Sequence, residues 1–249
     1  MPRMGLHRHH SRAYPVPMVR SRGSVLLDTA ATCGCLLVLL ISAGCNPKKA
    51  GPPQHYEDPE AMIVEFERGD RDTWAMPDRV VRSLAIEKKD GVIADIGAGS
   101  GYFSRRLAHE VPAGKVYAVD VDDTFREHIE HNRESWGTPN IEPHLAFYDD
   151  PALPAGEVDL IFMSNTLPFI RDKAQYLERL QSALKPNGRL VIIGFRPDAT
   201  PPPDSGAPAQ EFRSTADVVI QEAASAGFKL DRQELFLPYQ HFLIFKKAL

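Results

Sequence analysis

From residue 91 onward, short apolar runs alternate with segments whose apolar residues recur every three to four positions. The short runs predict buried strands over 92–94, 115–119, 141–145, 158–163 and 189–193. The intervening segments predict helices over 101–110, 124–134 and 170–184, and a further helix that starts in the capping pattern at 214–217 and ends near Gly227. This alternation is typical of a parallel sheet that is covered by helices on both faces.

Two more strand-like runs, 228–237 and 241–247, close the chain, with Pro238 as a break between them. The connection is too short for a crossover, so these two strands should pair antiparallel. We therefore predict an α/β fold with a doubly wound, Rossmann-like seven-stranded sheet, mostly parallel with an antiparallel last strand. The Pro-rich stretch 196–208 is predicted to be a mobile loop.

The N-terminal region has the pattern of an export signal. Residues 1–24 contain arginines and no acidic residue, and an apolar run follows over 33–41. That run is shorter than the ~20 residues that a membrane-spanning helix needs. The sequence Ser42-Ala-Gly-Cys45 resembles the lipobox of bacterial lipoproteins, although Ser42 stands where a leucine is usual. The resemblance implies a lipidated Cys45, and so a membrane-anchored lipoprotein that faces the periplasm or the cell exterior.

The alternative is a misread N-terminus, in which the apolar run is a tail without signal function and the protein is cytoplasmic. Met18 is another candidate for the first residue, because residues 18–22 would make a more compact basic segment. In the preferred interpretation, residues 1–45 are a signal, the polar and Pro-rich residues 46–58 are a tether, and residues 59–249 form one domain.

Composition narrows the chemistry of that domain. The net charge of −4 argues against broad affinity for nucleic acid, since no basic excess is available to neutralise phosphates. All three cysteines, at 33, 35 and 45, precede the domain, which excludes a disulfide, a thiolate metal site and a cysteine nucleophile within it. The pair His128 and His131 has helical metal-ligand spacing, but the surrounding charged residues favour a solvated helix face, and we predict no metal site.

A glycine-rich turn, Asp95-Ile-Gly97-Ala-Gly99-Ser-Gly101, follows the first predicted strand. Glycines at these positions allow a tight turn and a close approach to a ligand. A carboxylate at Asp95 would repel a pyrophosphate but suits a ligand with an ammonium and a sulfonium group. Tyr102 stands where a dinucleotide fingerprint has its third glycine, and Asp120 ends the second strand, where an acid binds ribose hydroxyls.

On these residues the sequence resembles the class I S-adenosylmethionine (SAM)-dependent methyltransferases, in a subgroup loosely related to the quinone-biosynthesis C-methyltransferases. The resemblance covers nearly all of residues 56–249 and includes the segments 92–103, 116–122, 149–159 and 184–190. It implies SAM as the cofactor, with the methionine part on Asp95, Gly97, Ala98, Gly99 and Gly101, the ribose on Asp120 and Val121, the adenine amino group near Asp149 or Asp150, and Asn165 on the methyl-transfer face.

The sequence differs from these relatives at the position of the general base. Many of them carry a histidine after the fourth strand, where this chain has Pro168, which cannot move a proton. Tyr102, Tyr239 and His241 are candidates, each with a structural role as the alternative, so no catalytic residue is assigned. Trp74 and Phe66 are expected either to cover the site or to pack on the sheet.

Two other functions stay open at this point. SAM is made inside cells, so export would favour a non-catalytic nucleoside-binding module that keeps the fold. A nicotinamide-dependent oxidoreductase is disfavoured by Asp95 and Tyr102. For a methyltransferase, the expected partner is a small-molecule or lipid-like acceptor, and no nucleic acid is expected.

Overall fold

The computed structural model describes residues 56–203 and 205–248. The predicted signal, Cys45 and most of the predicted tether lie outside the described residues. Within the described part, no helix has the length and apolar character needed to cross a membrane. The first helix starts at Pro59, where Asp58 accepts a hydrogen bond from the Ala61 N–H at 2.9 Å and caps it.

One seven-stranded sheet organises the described residues, in the order β3-β2-β1-β4-β5-β7-β6. The strands are β1 (Val92–Ile96), β2 (Lys115–Asp120), β3 (Ile141–Leu145), β4 (Val158–Ser164), β5 (Leu184–Phe195), β6 (Phe228–Glu234) and β7 (Gln240–Lys247). Strands β1 to β5 are parallel, and β7 runs antiparallel to both of its neighbours. The predicted fold class is confirmed, and the winding direction reverses between β1 and β4, where such sheets form a ligand crevice.

Seven helices pack around the sheet in the described residues. They are α1 (Pro59–Phe66), α2 (Arg71–Ala75), α3 (Pro77–Ser83), α4 (Ser104–Glu110), α5 (Asp123–Asn132), α6 (Lys173–Ala183) and α7 (Ala216–Ser225), with short 3₁₀ helices at Leu167–Phe169 and Gln210–Phe212. Side-chain caps fix several starts. Asp122, Asp172 and Thr215 each accept a hydrogen bond from a backbone N–H two or three residues later.

Several predicted boundaries differ from the structure for local reasons. Helix α4 starts at Ser104 instead of Gly101, because the glycine-rich turn continues through Gly101 at φ +82°. Helix α6 starts after the Asp172 cap instead of at Ile170. The predicted turn 186–188 lies inside β5, where the pairing with β4 shifts register as in a bulge. Strand β6 ends at Glu234 instead of residue 237.

The core lies on both faces of the sheet, since neighbouring residues of a strand point to opposite sides. Phe162 packs with Leu107 of α4 and the apolar residues of α3, whereas Ile161 packs with Leu177 of α6 and Val219 of α7. With both faces covered, the carboxyl edge of β1, β2 and β4 is where the site forms.

Candidate functional site

The glycine-rich turn between β1 and α4 forms one wall of the main cavity. Gly97, Ala98 and Gly99 line this cavity, and both Gly97 and Gly99 have positive φ. The N–H groups of Gly97 and Ala98 donate to the Val119 carbonyl oxygen at 2.8 and 3.1 Å. A Cβ on Gly97 would lie 2.2 Å from Thr166 Oγ1, so the turn passes the end of β4 too closely for any side chain.

Asp120 at the end of β2 lines the same cavity and is only 9% exposed. Its Oδ2 accepts the Gly99 N–H at 2.9 Å, and its Oδ1 accepts the N–H groups of Val121 and Asp122. A carboxylate offers about four acceptor positions, so three bonds leave capacity for a ligand hydroxyl. Burial raises the pKa of Asp120 to about 6, against the opposing effect of these three bonds.

Asp95 is buried at 3% exposure but does not line the cavity. Its Oδ2 accepts a hydrogen bond from Ser104 Oγ at 2.6 Å, behind the glycine-rich turn. Burial raises the pKa of Asp95 to about 7, and Arg71 acts in the opposite direction. Asp95 therefore supports the glycine-rich turn and does not line the cavity itself. Gly101 also lies off the cavity, close to Ile129 and Trp136.

Aromatic side chains form a second part of the cavity wall. The rings of Tyr56 and Phe66 meet edge to face at a centroid distance of 5.7 Å, and Phe125 lies 6.0 Å from both. Phe147 and Tyr148, after β3, also line the cavity and are largely exposed. Desolvation raises the pKa of Tyr56 to about 12, so its hydroxyl stays protonated. These faces can pack against a flat ring such as adenine.

Asn165 follows β4 and lines the cavity in the left-handed conformation, at φ +62°. Its N–H donates to the Ile193 carbonyl oxygen, and its Oδ1 accepts a hydrogen bond from Gln240 Nε2 at 2.8 Å. Gln240 comes from β7 and is 3% exposed. The last strand thus fixes a cavity residue of the fourth strand, and the bond orients the Asn165 amide.

Asp149 and Asp150 were predicted near the adenine amino group, but the structure does not bring them into the cavity. Asp149 is exposed, and Asp150 forms a close ion pair with Arg179. The backbone bridge between Phe147 and Asp150 turns the chain there, so Phe147 reaches the cavity and the acids point elsewhere. Val121, by contrast, lines the cavity as predicted.

The three candidate bases also lie outside the cavity lining. Tyr102 is 3% exposed, and its hydroxyl donates to Asp72 in a short hydrogen bond. His241 packs against Gly194 on β5, and burial lowers its pKa to about 4. Tyr239 is half-buried against the core.

His128 and His131 are not arranged as metal ligands. His131 Nδ1 lies 2.7 Å from the Glu127 carbonyl oxygen, and the His128 ring packs against Trp136. Among residues 56–203 and 205–248, no group of three or more His, Cys, Asp or Glu side chains is placed to hold a metal ion.

Helices α1 and α2 cover the glycine-rich turn. Glu67 accepts hydrogen bonds from Ser100 Oγ at 2.6 Å and from Arg105 at 2.5 Å, and these bonds tie the end of α1 to the turn and to α4. Phe66 and Trp74, expected either to cover the site or to pack on the sheet, both line the cavity, and Trp74 also packs on Phe195. Prediction from sequence missed this cover, because α1 to α3 carry no motif.

The sequence also did not reveal that Arg71 belongs to the cavity. Its guanidinium lies 3.8 Å from the Tyr102 ring centroid, and its Nη1 donates to the Phe66 carbonyl oxygen at 2.8 Å. It lines the cavity, and burial lowers its pKa. The Pro-rich loop after β5 closes this side, where Pro203, Ser205 and Gly206 also line the cavity.

Comparison with known proteins agrees with this geometry. A family model described as a methyltransferase domain matches residues 94–190, from β1 into β5. These residues, less than half of the chain, therefore resemble a methyltransferase domain. A solved structure of a SAM-dependent methyltransferase from Aquifex aeolicus superposes with a TM-score of 0.70 at 24% identity, covering 76% of this chain and 98% of that one. The described residues therefore share the fold of that protein.

Two curated relatives match part of the domain. One is the methyltransferase GedG of Aspergillus terreus, 26% identical over 106 residues, which are 42% of this chain and 32% of the relative. The other is a malonyl-[acyl-carrier protein] O-methyltransferase of Halalkalibacterium halodurans, 28% identical over 133 residues, which are 49% of this chain and 48% of the relative. The match thus spans less than half the length of each relative.

The chemistry of the cavity lining suits an adenosine that carries an amino-acid group. Asp120 offers a buried carboxylate to hydroxyls, and Gly97 and Gly99 line the cavity with backbone. Phe147 and Tyr148 present aromatic rings, and Arg71 presents a buried cation. A pyrophosphate would instead face the carboxylates of Asp120 and Asp122.

Proposed function

We propose that this chain is a SAM-dependent methyltransferase that acts on a small-molecule acceptor. One observation carries the proposal. Asp120 lines the cavity while it holds the N–H of Gly99 at 2.9 Å, so the ribose-binding acid and the glycine-rich turn form a single unit. The match of the methyltransferase-domain model to residues 94–190 supports it.

In this proposal Gly97 to Ser100 hold the methionine part of the cofactor, Asp120 holds the ribose, and the aromatic wall packs against the adenine. The bound cofactor supplies an activated methyl group on a sulfonium with a good leaving group. The chain has to align the acceptor with that methyl group and keep water away. The cover of α1 and α2 and the loop residues Pro203, Ser205 and Gly206 serve this purpose. In this proposal Asn165, which also lines the cavity, borders the acceptor.

Titration calorimetry on the full-length protein tests the proposal. We expect SAM and S-adenosylhomocysteine to bind with micromolar affinity and NADH not to bind. Asp120→Ala should weaken S-adenosylhomocysteine at least tenfold, because the ribose loses its acceptor and the Gly99 N–H its partner. Asp149→Ala is the matched control, since that aspartate is exposed and lies outside the cavity.

Two results would contradict the proposal. If neither SAM nor S-adenosylhomocysteine binds the wild-type protein, the alternative of a fold kept without turnover becomes the better account. If NADH binds and SAM does not, the oxidoreductase alternative is favoured. An equal loss of affinity in the Asp149 and Asp120 variants would refute the assignment of the ribose site.

We extend the proposal to a lipid-like acceptor at a membrane. Residues 74–78 and 237–245 resemble segments of the subgroup loosely related to the quinone-biosynthesis C-methyltransferases, and the N-terminal pattern predicts lipidation at Cys45. Radiolabelled methyl groups that partition into the organic phase of a lipid extract would support this acceptor class. Mass spectrometry of the native protein tests the anchor, and a mature chain that starts upstream of Cys45 would refute it.

A further inference from the structure

We infer that Arg71 is the anion-binding residue of the cavity and pairs with a carboxylate of a bound ligand. The inference rests on the proposed function and adds to it the residue that recognises a negative charge. No sequence motif marks Arg71, and it lies on a short helix outside the residues 94–190 that match the family model.

The first observation is a buried cation without a counter-ion. Arg71 has no ion pair to any carboxylate of the described residues, although its side chain is deeply buried. Its Nη1 donates to the Phe66 carbonyl oxygen, and its Nε is buried without an acceptor. Buried charges in proteins are nearly always paired and hydrogen-bonded. Without a ligand, this guanidinium lacks the counter-ion that a buried charge normally has.

The second observation is that the nearby acids already have partners. Asp95 accepts from Ser104, and the Glu67 carboxylate is shared by Ser100 and Arg105. Asp72 is bonded to Tyr102 and Arg106. Against the larger effect of burial, Glu67 and Asp95 raise the pKa of Arg71 through space, but all three acids are hydrogen-bonded to other donors.

The third observation is the position of the guanidinium. It stacks on Tyr102, which follows the glycine-rich turn, and it is bonded to Phe66, whose ring would lie 3.1 Å from a Cβ placed on Gly99. Arg71 therefore borders the part of the cavity next to the turn. Because one N–H of Nη1 is used and Nε is closed to solvent, Nη2 is the donor that remains for a ligand carboxylate.

Two carboxylates are candidates with this chemistry, and the experiment separates them. One belongs to the amino-acid end of the cofactor, and the other to an acidic acceptor. We would compare S-adenosylhomocysteine with 5′-methylthioadenosine, which lacks the amino-acid end but keeps the adenosine. Both ligands are titrated into the full-length wild-type protein and into Arg71→Met and Arg71→Lys. Benzoate is titrated into the complexes with S-adenosylhomocysteine as the probe for an acceptor carboxylate.

If the cofactor supplies the carboxylate, Arg71→Met weakens the binding of S-adenosylhomocysteine at least tenfold. The affinity for methylthioadenosine then stays within twofold of the wild-type value. Arg71→Lys should then fall between wild type and Arg71→Met, since lysine keeps the charge but not the planar guanidinium with its several fixed donors. If the acceptor supplies it, S-adenosylhomocysteine binding is unchanged, and benzoate binds wild type but not Arg71→Met. Arg79→Met is the matched control, because Arg79 also stacks on an aromatic ring, Phe236, but lies outside the cavity.

Two results would overturn the inference while the proposed function stands. In the first, Arg71→Met binds both S-adenosylhomocysteine and benzoate as wild type does. In the second, Arg71→Met weakens methylthioadenosine as much as S-adenosylhomocysteine, which would assign Arg71 to the packing of the cover. A wild-type protein that binds neither adenosine ligand would overturn the proposed function together with this inference.

Discussion

Asp95 gives the sharpest test of the electrostatics of this fold. Burial raises its pKa from the ordinary 3.8 to about 7, although Ser104 donates a hydrogen bond to it. The folded state thus holds a proton more tightly than the unfolded chain. Asp95 therefore contributes most stability when protonated, below pH 3.8, and this contribution is lost as the pH rises through 7.

The size of the effect follows from that difference. A shift of roughly three pKa units corresponds to about 4 kcal/mol at pH 8, and to less than half of that at pH 5, where the folded state is still protonated. Asp95→Asn removes this pH-dependent cost. The new amide N–H₂ has to find an acceptor in the core, which costs about 1–3 kcal/mol at every pH.

The assay is urea unfolding of wild type and Asp95→Asn at pH 5 and pH 8. We expect the free energy of unfolding of the variant, relative to wild type, to rise by about 2–3 kcal/mol between the two pH values. The cost of the amide cancels in this comparison because it does not depend on pH. A difference between the two proteins that is the same at pH 5 and pH 8 would refute the reasoning.

Asp159→Asn is the control with the opposite sign. Burial opposes the charge of Asp159, but hydrogen bonds from Lys185, Lys88 and the Val92 N–H outweigh it and lower its pKa to about 2. Asp159 therefore contributes stability above pH 3.8, which is lost only as the pH falls towards 2. We expect its substitution to destabilise the protein equally at pH 5 and pH 8.

Two further substitutions test the geometry of the cavity. Gly97→Ala should lower the free energy of unfolding by about 3 kcal/mol or more, because its Cβ would lie 2.2 Å from Thr166 Oγ1, whereas Gly137→Ala, at nearly the same φ and with no atom near its Cβ, should cost about 1 kcal/mol. Equal losses in urea unfolding would show that φ alone matters. Gln240→Leu removes the donor to Asn165 and a buried, unpaired Oε1, so we expect unfolding to change by less than about 1 kcal/mol while SAM binding weakens several-fold by calorimetry. Unchanged affinity would count against a role for this pair.

The sequence by itself determined the strands from β1 to β5 and the antiparallel pairing at the end of the chain. This succeeds because buried parallel strands are short continuous apolar runs, and that signal is local. It also located the turn at Gly97 to Gly101 and the acid Asp120, since both lie directly after a strand and their spacing is read along the chain. Helix starts were less accurate, because a single cap such as Asp172 decides them.

Only the tertiary structure decided which side chains share the cavity. Asp149 and Asp150 satisfy the spacing of the resemblance, yet a backbone bridge and Arg179 turn them away. Tyr56 and Arg71 reach the cavity from the segment before β1, which no motif marks. Gln240 meets Asn165 across 75 residues of sequence.

The physical reason is the range of each interaction. Apolar periodicity and glycine turns depend on residues that are close together in the chain, so they can be recognised directly from the sequence. Burial of a charge, the pKa of Asp95 and the missing partner of Arg71 depend on which distant segments exclude water from one place. Such contacts exist only once the sheet has closed and α1 and α2 cover its edge.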